Sequence, residues 1–407
     1  MGSKVMSEPS TWVGQAVARV EDATLLRGQG QFIDDLGAPP GTVHAAFVRS
    51  PHAHARIVAI DVDAASSLPG VEAVLVGQDL AALGKPFITG VKVDAPQFAL
   101  AIDRVRYVGE PVAIVVAADR YLAEDGADQV LVQYAPLTAV IDPQSAVGDA
   151  PLLHPNTKSN VLHERRFAYG NPEQTFASAD ALVETTVRYP RNACTPIECC
   201  CVVARHDAGA DMFDILANFQ GPYTLHTVMA RSLGVPGNRL RLRTPPDSGG
   251  SFGVKQAVFP YVVAIGLAAK LTGRPVKWLE DRLEHLTSAT SATNRVTHLR
   301  GAFRADGTLI GLDFDQLEDC GAFLRAPEPA TLYRMHGNMT GAYQVANLAI
   351  RNRVVVTNKT PTGLNRGFGG PQVYFALERL MDRAAEQLSF DPFELRLRNL
   401  VPEEAMP

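Results

Sequence analysis

The chain has 407 residues, of which 46% are apolar and 20% charged, with a formal net charge of −5. This is the balance of a globular protein with room for two or three domains, and it excludes a disordered chain. Lys and Arg are scattered along the sequence, without the basic block that neutralises phosphates, so no nucleic-acid partner is expected.

The N-terminus, Met1 to Pro9, has Lys4 but no apolar run behind it, so no secretory signal is expected and the cytoplasm is the expected location. Val43 to Arg49 alternates weakly, and Pro111 to Ala118 is a near-continuous apolar run that predicts a buried strand. Tyr121 to Asp128 predicts a helix and Gln129 to Tyr134 a further strand. Asp142 to Ser159, rich in Pro, Asp and Asn without periodicity, predicts a linker, placing one domain over 1–147, a linker over 148–165 and a second domain over 166–407.

In the second part, Ala181 to Tyr189 and Met212 to Asn218 read as strands. Leu225, Val228, Met229 and Leu233 fall at helical spacing, closed by Gly234 and Pro236. Another helix is predicted from Ala257 to Leu271, with Gly273 and Pro275 as stop signals. Its uncharged stretch, Ala257 to Ala269, contains Pro260 and is too short to span a bilayer, so no membrane span is expected. Asp306-Gly307, between His298–Phe303 and Leu309–Gln316, predicts a hairpin. After Pro371, the residues Val373, Ala376, Leu377, Leu380, Met381, Ala384 and Leu388 mark one face of a helix, and Asp391-Pro392-Phe393-Glu394 starts another. The fold class is mixed α/β (α+β).

Five cysteines, with Cys199, Cys200 and Cys201 consecutive and no CxxC pair, suit a reducing compartment. Adjacent side chains on an extended segment point apart, so this chain is expected to hold no zinc or iron–sulfur cluster itself. The three read as small buried side chains.

Two glycine-rich segments remain, Ser248-Gly249-Gly250-Ser251-Phe252-Gly253-Val254-Lys255-Gln256 and Arg366-Gly367-Phe368-Gly369-Gly370-Pro371-Gln372. Each leads into an apolar helical run, so each would expose backbone N–H groups at a strand-to-helix corner, where anionic oxygens bind. Neither fits GxGxxG or GxxxxGK[ST], and each keeps a phenylalanine on which a flat substrate could stack; two tight turns with no ligand are the plain alternative.

These two loops, in this order, resemble the molybdopterin-binding subunits of the xanthine oxidase and aldehyde oxidase family of molybdenum hydroxylases. Val13-Gly14-Gln15 with Gly30-Gln31-Phe32-Ile33-Asp34-Asp35, Arg49-Ser50-Pro51-His52-Ala53-His54-Ala55 and Tyr107-Val108-Gly109-Glu110-Pro111-Val112-Ala113 look like landmarks of that family's hammerhead-like α/β domain. Pro196-Ile197-Glu198, Ala217-Asn218-Phe219-Gln220-Gly221-Pro222, Leu233-Gly234-Val235-Pro236 and Asp319-Cys320-Gly321-Ala322 look like those of its first molybdopterin-binding domain. The resemblance covers nearly the whole chain. Relatives that carry the whole molybdenum subunit in one polypeptide continue for several hundred residues, through a second molybdopterin-binding domain that holds the active-site glutamate base. The chain is therefore similar to the first member of a divided pair, as in nicotinate dehydrogenase.

The resemblance implies hydroxylation of an sp² carbon of an N-heteroaromatic or related substrate, with water as the oxygen source. It implies molybdopterin with molybdenum, in the cytosine dinucleotide form, and partner subunits carrying FAD and [2Fe-2S] clusters beside a second molybdopterin-binding subunit. An aldehyde-oxidising dehydrogenase of the same family, or a structural subunit that has lost the metal, are the alternatives.

Residue by residue, Gln220 matches the glutamine whose amide donates to an oxo group of the cofactor, and Phe252 and Gly253 the Phe-Gly pair beside the metal, with Gly249 and Gly250 permitting close approach. Arg366 matches an arginine set against the cofactor, with a surface ion pair as its alternative. Phe368 matches an aromatic that packs on the substrate, or else is a core phenylalanine. Gln256 stands where purine-oxidising members have a glutamate, and Arg334 where they have an arginine, unless it is a plain surface residue. Carbon monoxide dehydrogenases of the family place a copper-holding cysteine in the second loop; Asn365-Arg366-Gly367-Phe368 has none. No direct metal ligand and no catalytic base are assigned within this chain.

Overall fold

The structure is a computed structural model that describes residues 11–406; the expectation about a secretory signal at Met1 to Pro9 lies outside them. The apolar run Pro111–Ala117 is a strand buried at every position. Such a strand needs neighbours on both edges, and it pairs antiparallel with Val43–Arg49 and with Val71–Val76. Val43–Arg49 continues in parallel to Val276–Leu279, after which Cys201–Asp207, Met212–Ala217 and Leu240–Arg243 complete a seven-stranded sheet. This sheet takes strands from both sides of residues 148–165, so the two segments read from the sequence share one core. A three-stranded sheet of Arg104–Val105, Ala55–Asp61 and Leu131–Pro136 lies alongside the N-terminal part.

The helix Phe259–Thr272 packs on the seven-stranded sheet, and every residue from Phe259 to Ala269 is buried. A helix apolar on all sides belongs in an interior. A 3-10 turn, Val254–Val258, precedes it, so the apolar segment Val254–Thr272 reaches 19 residues and is longer than Ala257 to Ala269 suggested. By length and composition it could cross a membrane, but 89% of its apolar window is buried inside the protein, as in a core helix. It ends at Gly273, in the left-handed conformation.

The second core is built on a five-stranded sheet in the order Val161–Tyr169, Asn347–Val355, Leu309–Asp319, Asn294–Phe303, Ala181–Tyr189. The Asp-Gly hairpin joins Asn294–Phe303 to Leu309–Asp319, with Gly307 at φ +85° supplying the turn. Across it lies the helix Gly370–Leu388, whose Val373, Ala376, Leu377, Leu380, Met381 and Ala384 pack with Leu299, Phe303, Leu312 and Phe314. Asp391 then caps the helix Pro392–Asn399 by accepting from Phe393 and Glu394.

The segment read as a linker is not a free connection. It holds the short helix Pro143–Ala146, a wholly buried Leu153, and the beginning of the edge strand Val161–Tyr169. Its polar residues turn inward: His154 Nε2 donates to the Ala322 carbonyl at 2.7 Å, and Asn160 Oδ1 accepts from Leu153 N at 3.0 Å. Burial and Arg106 push the His154 pKa down to about 4, so the ring is neutral and offers one donor. Composition cannot register where a polar side chain finds its partner.

The helix over the second sheet sets the position of the loop that precedes it. Leu380→Ala, at a site with no exposure, is expected to cost about 2–5 kcal/mol. Urea denaturation checks this; a loss under 1 kcal/mol, at an unchanged m value, would mean that this helix face is not part of the cooperative core.

Candidate functional site

The first glycine loop stands at a strand-to-helix corner, and the second, separated from strand Asn347–Val355 by an irregular segment, forms the corner at a helix start. The first runs from the end of strand Leu240–Arg243 to the 3-10 turn at Val254, and the second leads directly into the helix that starts at Gly370. They touch. Arg366 N donates to the Phe252 carbonyl at 2.9 Å. Gly253, at φ +115°, lies so close to the second loop that a Cβ there would fall 2.3 Å from the Leu364 carbonyl oxygen. Only glycine meets both requirements. Phe252 and Phe368 also take left-handed conformations, at φ +55° and +53°. This is costly for a residue with a Cβ, and it is held here by the turns on either side. Phe252 is 51% exposed.

The first loop is braced from beneath by a buried ion pair. Lys255 is wholly buried, and its Nζ pairs with Glu198 Oε2, which also accepts from Gly249 N at 3.1 Å. Gly249 lies against the Glu198 side chain, where a Cβ would come within 2.3 Å. Removing one partner of such a pair strands the other charge, at a cost of about 3–5 kcal/mol.

Between the loops sits Cys194. Its thiol, kept protonated by burial, donates to Asn365 Oδ1 at 2.9 Å, and Asn365 Nδ2 donates to Asn192 Oδ1 at 2.9 Å. The Cys194 carbonyl accepts from His285 Nε2 at 3.0 Å, while His285 Nδ1 donates to Glu280 Oε2 at 2.9 Å. Two acceptors require a doubly protonated ring. Burial lowers the His285 pKa, but the hydrogen bond and charge of Glu280 outweigh it, and the net shift is upward. Glu280 Oε2 further accepts from Cys200 N at 2.9 Å. Cys199, Glu280 and His285 lie close enough to hold a cation, with ligand atoms within 4.8 Å of one another. Yet an imidazolium that donates from both nitrogens has no lone pair to give, so the cluster is a buried ion pair that anchors Cys194.

The remaining sites read from the sequence fall around these corners. Gln220 is exposed beside the first loop: its Oε1 accepts from Ser251 Oγ and its backbone N donates to Lys255 O at 3.4 Å, leaving the amide NH₂ without a described partner. The Gly249 amide is occupied by Glu198, beneath the loop, and the Gly253 amide by Ser251 Oγ at 3.3 Å, so the Gly253 N–H is not outward as expected. The amides of Gly250, Ser251 and Phe252 donate to no described residue. Arg366 is exposed, and its guanidinium makes no ion pair among the described residues. Phe368 is half-buried rather than core, and the Arg334 guanidinium lies 4.7 Å from its ring centroid, so these two are brought together from distant segments. Gln256 is buried in the 3-10 turn at 8% exposure.

Sequence reasoning missed Lys255, Cys194, Asn365 and the His285–Glu280 pair as working parts. Lys255 and Asn365 stood inside quoted motifs; nothing in the sequence pointed to the other three. Of the three consecutive cysteines, Cys200 joins the main core and Cys201 packs with Ile33, Val203 and Leu216 on the opposite face of the sheet, as alternation requires.

Residues 153–400 match the molybdopterin cofactor-binding domain model, and 27–138 match the aldehyde oxidase and xanthine dehydrogenase a/b hammerhead domain. The chain is 36% identical over 404 residues to the 6-hydroxypseudooxynicotine dehydrogenase complex subunit gamma of Paenarthrobacter nicotinovorans, covering 97% of this chain and 50% of that one. It is 34% identical to the nicotine 6-hydroxylase large subunit of the same organism, covering 96% and 48%. Among solved structures, quinoline 2-oxidoreductase from Pseudomonas putida 86 superposes with a TM-score of 0.89 at 34% identity, covering 97% of this chain and 51% of that one. Carbon monoxide dehydrogenase from Oligotropha carboxidovorans superposes with a TM-score of 0.87 at 32% identity, covering 97% and 51%. The chain thus spans about half the length of the relatives it matches.

Two substitutions test the interlock. Gly253→Ala combines a left-handed backbone with a clash at Leu364 and is expected to destabilise the protein by about 1–3 kcal/mol, read as a fall in the denaturation midpoint; an unchanged midpoint would show that the loops need not be this close. Cys194→Ala is expected to accelerate amide hydrogen exchange over residues 365–370 about two- to tenfold, the worth of one hydrogen bond. Cys194→Ser should restore protection, and equal exchange in all three proteins would remove the thiol from the network.

Proposed function

The chain belongs to the molybdopterin cofactor-binding family of aldehyde oxidases and xanthine dehydrogenases, and from that premise we propose that it is one half of the molybdenum site of a hydroxylase. The observation that carries the reading is the pair of interlocked glycine corners inside the matched region, with backbone and side-chain donors that meet no acceptor among the described residues.

The residues present fit an anionic cofactor. The unpaired amides of Gly250, Ser251 and Phe252, the Gln220 NH₂ and the exposed Arg366 guanidinium together offer neutral and cationic donors to oxyanions, with no carboxylate among them. When bound, the molybdenum cofactor, proposed as the cytosine dinucleotide form, supplies two-electron oxidation and oxygen transfer. The protein's share is orientation and electrostatics. Gln220 Oε1 is taken up by Ser251 Oγ, which leaves its NH₂ to donate without adding charge. Phe368 offers a ring face to a flat substrate, and Arg334 above it places positive charge where negative charge develops on an N-heteroaromatic ring. Gln256, uncharged and able both to donate and to accept, suits a polar ring substrate.

No base is assigned among these residues. We place it, with the second molybdopterin-binding domain, on the sequence that fills the rest of the relatives' length, carried by a partner subunit, with further partners holding FAD and [2Fe-2S] clusters. The names of the relatives, a nicotine hydroxylase and a quinoline oxidoreductase among them, favour an N-heteroaromatic substrate. Cytoplasmic assembly is part of the same proposal.

The test is to co-express the chain with its complementary subunits, measure bound molybdenum, and compare reduction of the complex by quinoline and by a simple aldehyde. Molybdenum with preferential reduction by the heterocycle is expected; a stable complex without molybdenum would overturn the reading. Within it, Gln220→Ala is expected to retain molybdenum and lose about 10²–10³-fold in kcat, the loss of one oriented donor. Undiminished turnover would remove Gln220 from the site. Phe368→Leu is expected to raise KM by about 0.5–1.5 kcal/mol of lost stacking, with little change in thermal stability.

A further inference from the structure

Beneath the second glycine loop lies a carboxyl pair that the reaction does not use. Glu318 and Glu328 are both wholly buried, and the Thr331 hydroxyl bridges them, 2.9 Å from Glu318 Oε1 and 2.6 Å from Glu328 Oε2. A threonine hydroxyl has one proton to donate, so it satisfies one carboxylate only; the second contact needs a proton from the other side. Glu318 accepts from Nε and Nη2 of the Arg295 guanidinium, at 2.6 and 2.9 Å, and is an acceptor throughout. Among the described residues Glu328 makes no ion pair, and its Oε1 is buried with no partner. An ionised carboxylate with a bare oxygen in an interior is very costly, whereas a neutral acid there is not.

We propose that Glu328 is a neutral carboxylic acid that donates its proton to Thr331 Oγ1, and that this proton positions the second glycine loop and the Phe368–Arg334 pair. Thr331 is the mechanical link. Its carbonyl oxygen lies where a Cβ on Gly369 would come within 2.0 Å, so the loop rests directly on it, and Arg295 Nη2 donates to the same carbonyl at 3.4 Å. The helical turn Ala330–Tyr333 that contains Thr331 runs on into the turn Arg334–Asn338, which carries Arg334 to its place 4.7 Å from Phe368. Glu328 is thus a positioning residue and touches neither substrate nor cofactor.

The charged and titratable groups facing Glu328 are Glu318 on strand Leu309–Asp319, Arg295 on strand Asn294–Phe303, and the Cys320 thiol. Burial first, and then the negative charge of Glu318, push its pKa up to about 8, against weaker opposition from Thr331 and Arg295. A carboxyl raised in this way contributes its proton-dependent stability in full below about 4.5 and loses it as the pH climbs through about 8. Above that, the Thr331 hydroxyl faces two carboxylates and the loop loses its support.

The role given to the loop rests on the molybdenum-site reading, but the test does not. Infrared spectra of the full chain, in the assembly in which it purifies, should show a protonated-carboxyl C=O band that is missing from Glu328→Gln and that disappears in the wild type as the pH passes about 8. Hydrogen-exchange protection of residues 365–370, corrected for the intrinsic pH effect, should fall on the order of fivefold over the same range in the wild type. It should stay flat in Glu328→Gln, whose amide can donate to Thr331 at any pH. The wild-type titration needs no variant to fold. A wild type with no such band, or a loop whose protection falls equally in both proteins, overturns the proposal; a complex lacking molybdenum overturns only the functional reading.

Discussion

One hydrogen bond, from Arg366 N to the Phe252 carbonyl, fixes the relation between two corners that come from separate sheets. The first corner hangs from the seven-stranded sheet and the second from the helix across the five-stranded one. For a backbone amide of one loop to reach a backbone carbonyl of the other, side chains must be absent where they pass. Gly253 against Leu364 is where that absence is required between the loops, and Gly369 against Thr331 is where the second loop meets its support, because each has a positive φ and a neighbouring carbonyl inside the volume of a Cβ. The large cores position these few atoms, and the free donors of the site follow from them.

The loops are also held by charge that burial would ordinarily forbid. Lys255 with Glu198, His285 with Glu280, and Arg295 with Glu318 each place an ion pair within or next to a core cluster, and each is tied to a backbone group of a loop or its support. Such pairs are weak as a source of net stability but strict about geometry, since a displaced partner leaves an unpaired charge. Around the glycine corners they fix donors more than they add stability. The same strictness gives each loop its own brace: a salt bridge under the first, a thiol between the two, and a shared proton under the second.

How much of this was legible depended on whether the signal was local. Strands Val43–Arg49, Pro111–Ala117 and Ala181–Tyr189, the Asp-Gly hairpin and the helix after Pro371 were readable because apolar periodicity and turn chemistry are written in adjacent residues. The segment 148–165 reads by composition as a connection, whereas its polar residues, among them His154 and Asn160, take partners far away in the chain or across a turn, which composition cannot show. In the same way, the helix Phe259–Thr272 gained a turn at its start that the glycines before it concealed.

The sequence by itself determined the fold class, the two glycine corners and the family resemblance, since these lie in ordered motifs a few residues long. Gln220, Phe252, Arg366 and Phe368 lie in or beside the corners in the fold, but the sequence could not say that the Gly253 amide is spent on Ser251, or that Phe368 meets Arg334. Only the tertiary structure decided that strands from both halves share one sheet, that Cys194 stands between the loops, and that His285 is committed to two acceptors and so is not free for a metal. The physical reason is the range of the interaction: periodicity and turn preference act between neighbours in sequence, whereas a buried side chain is committed by partners from any part of the chain, as His285 is by Cys194, 91 residues away.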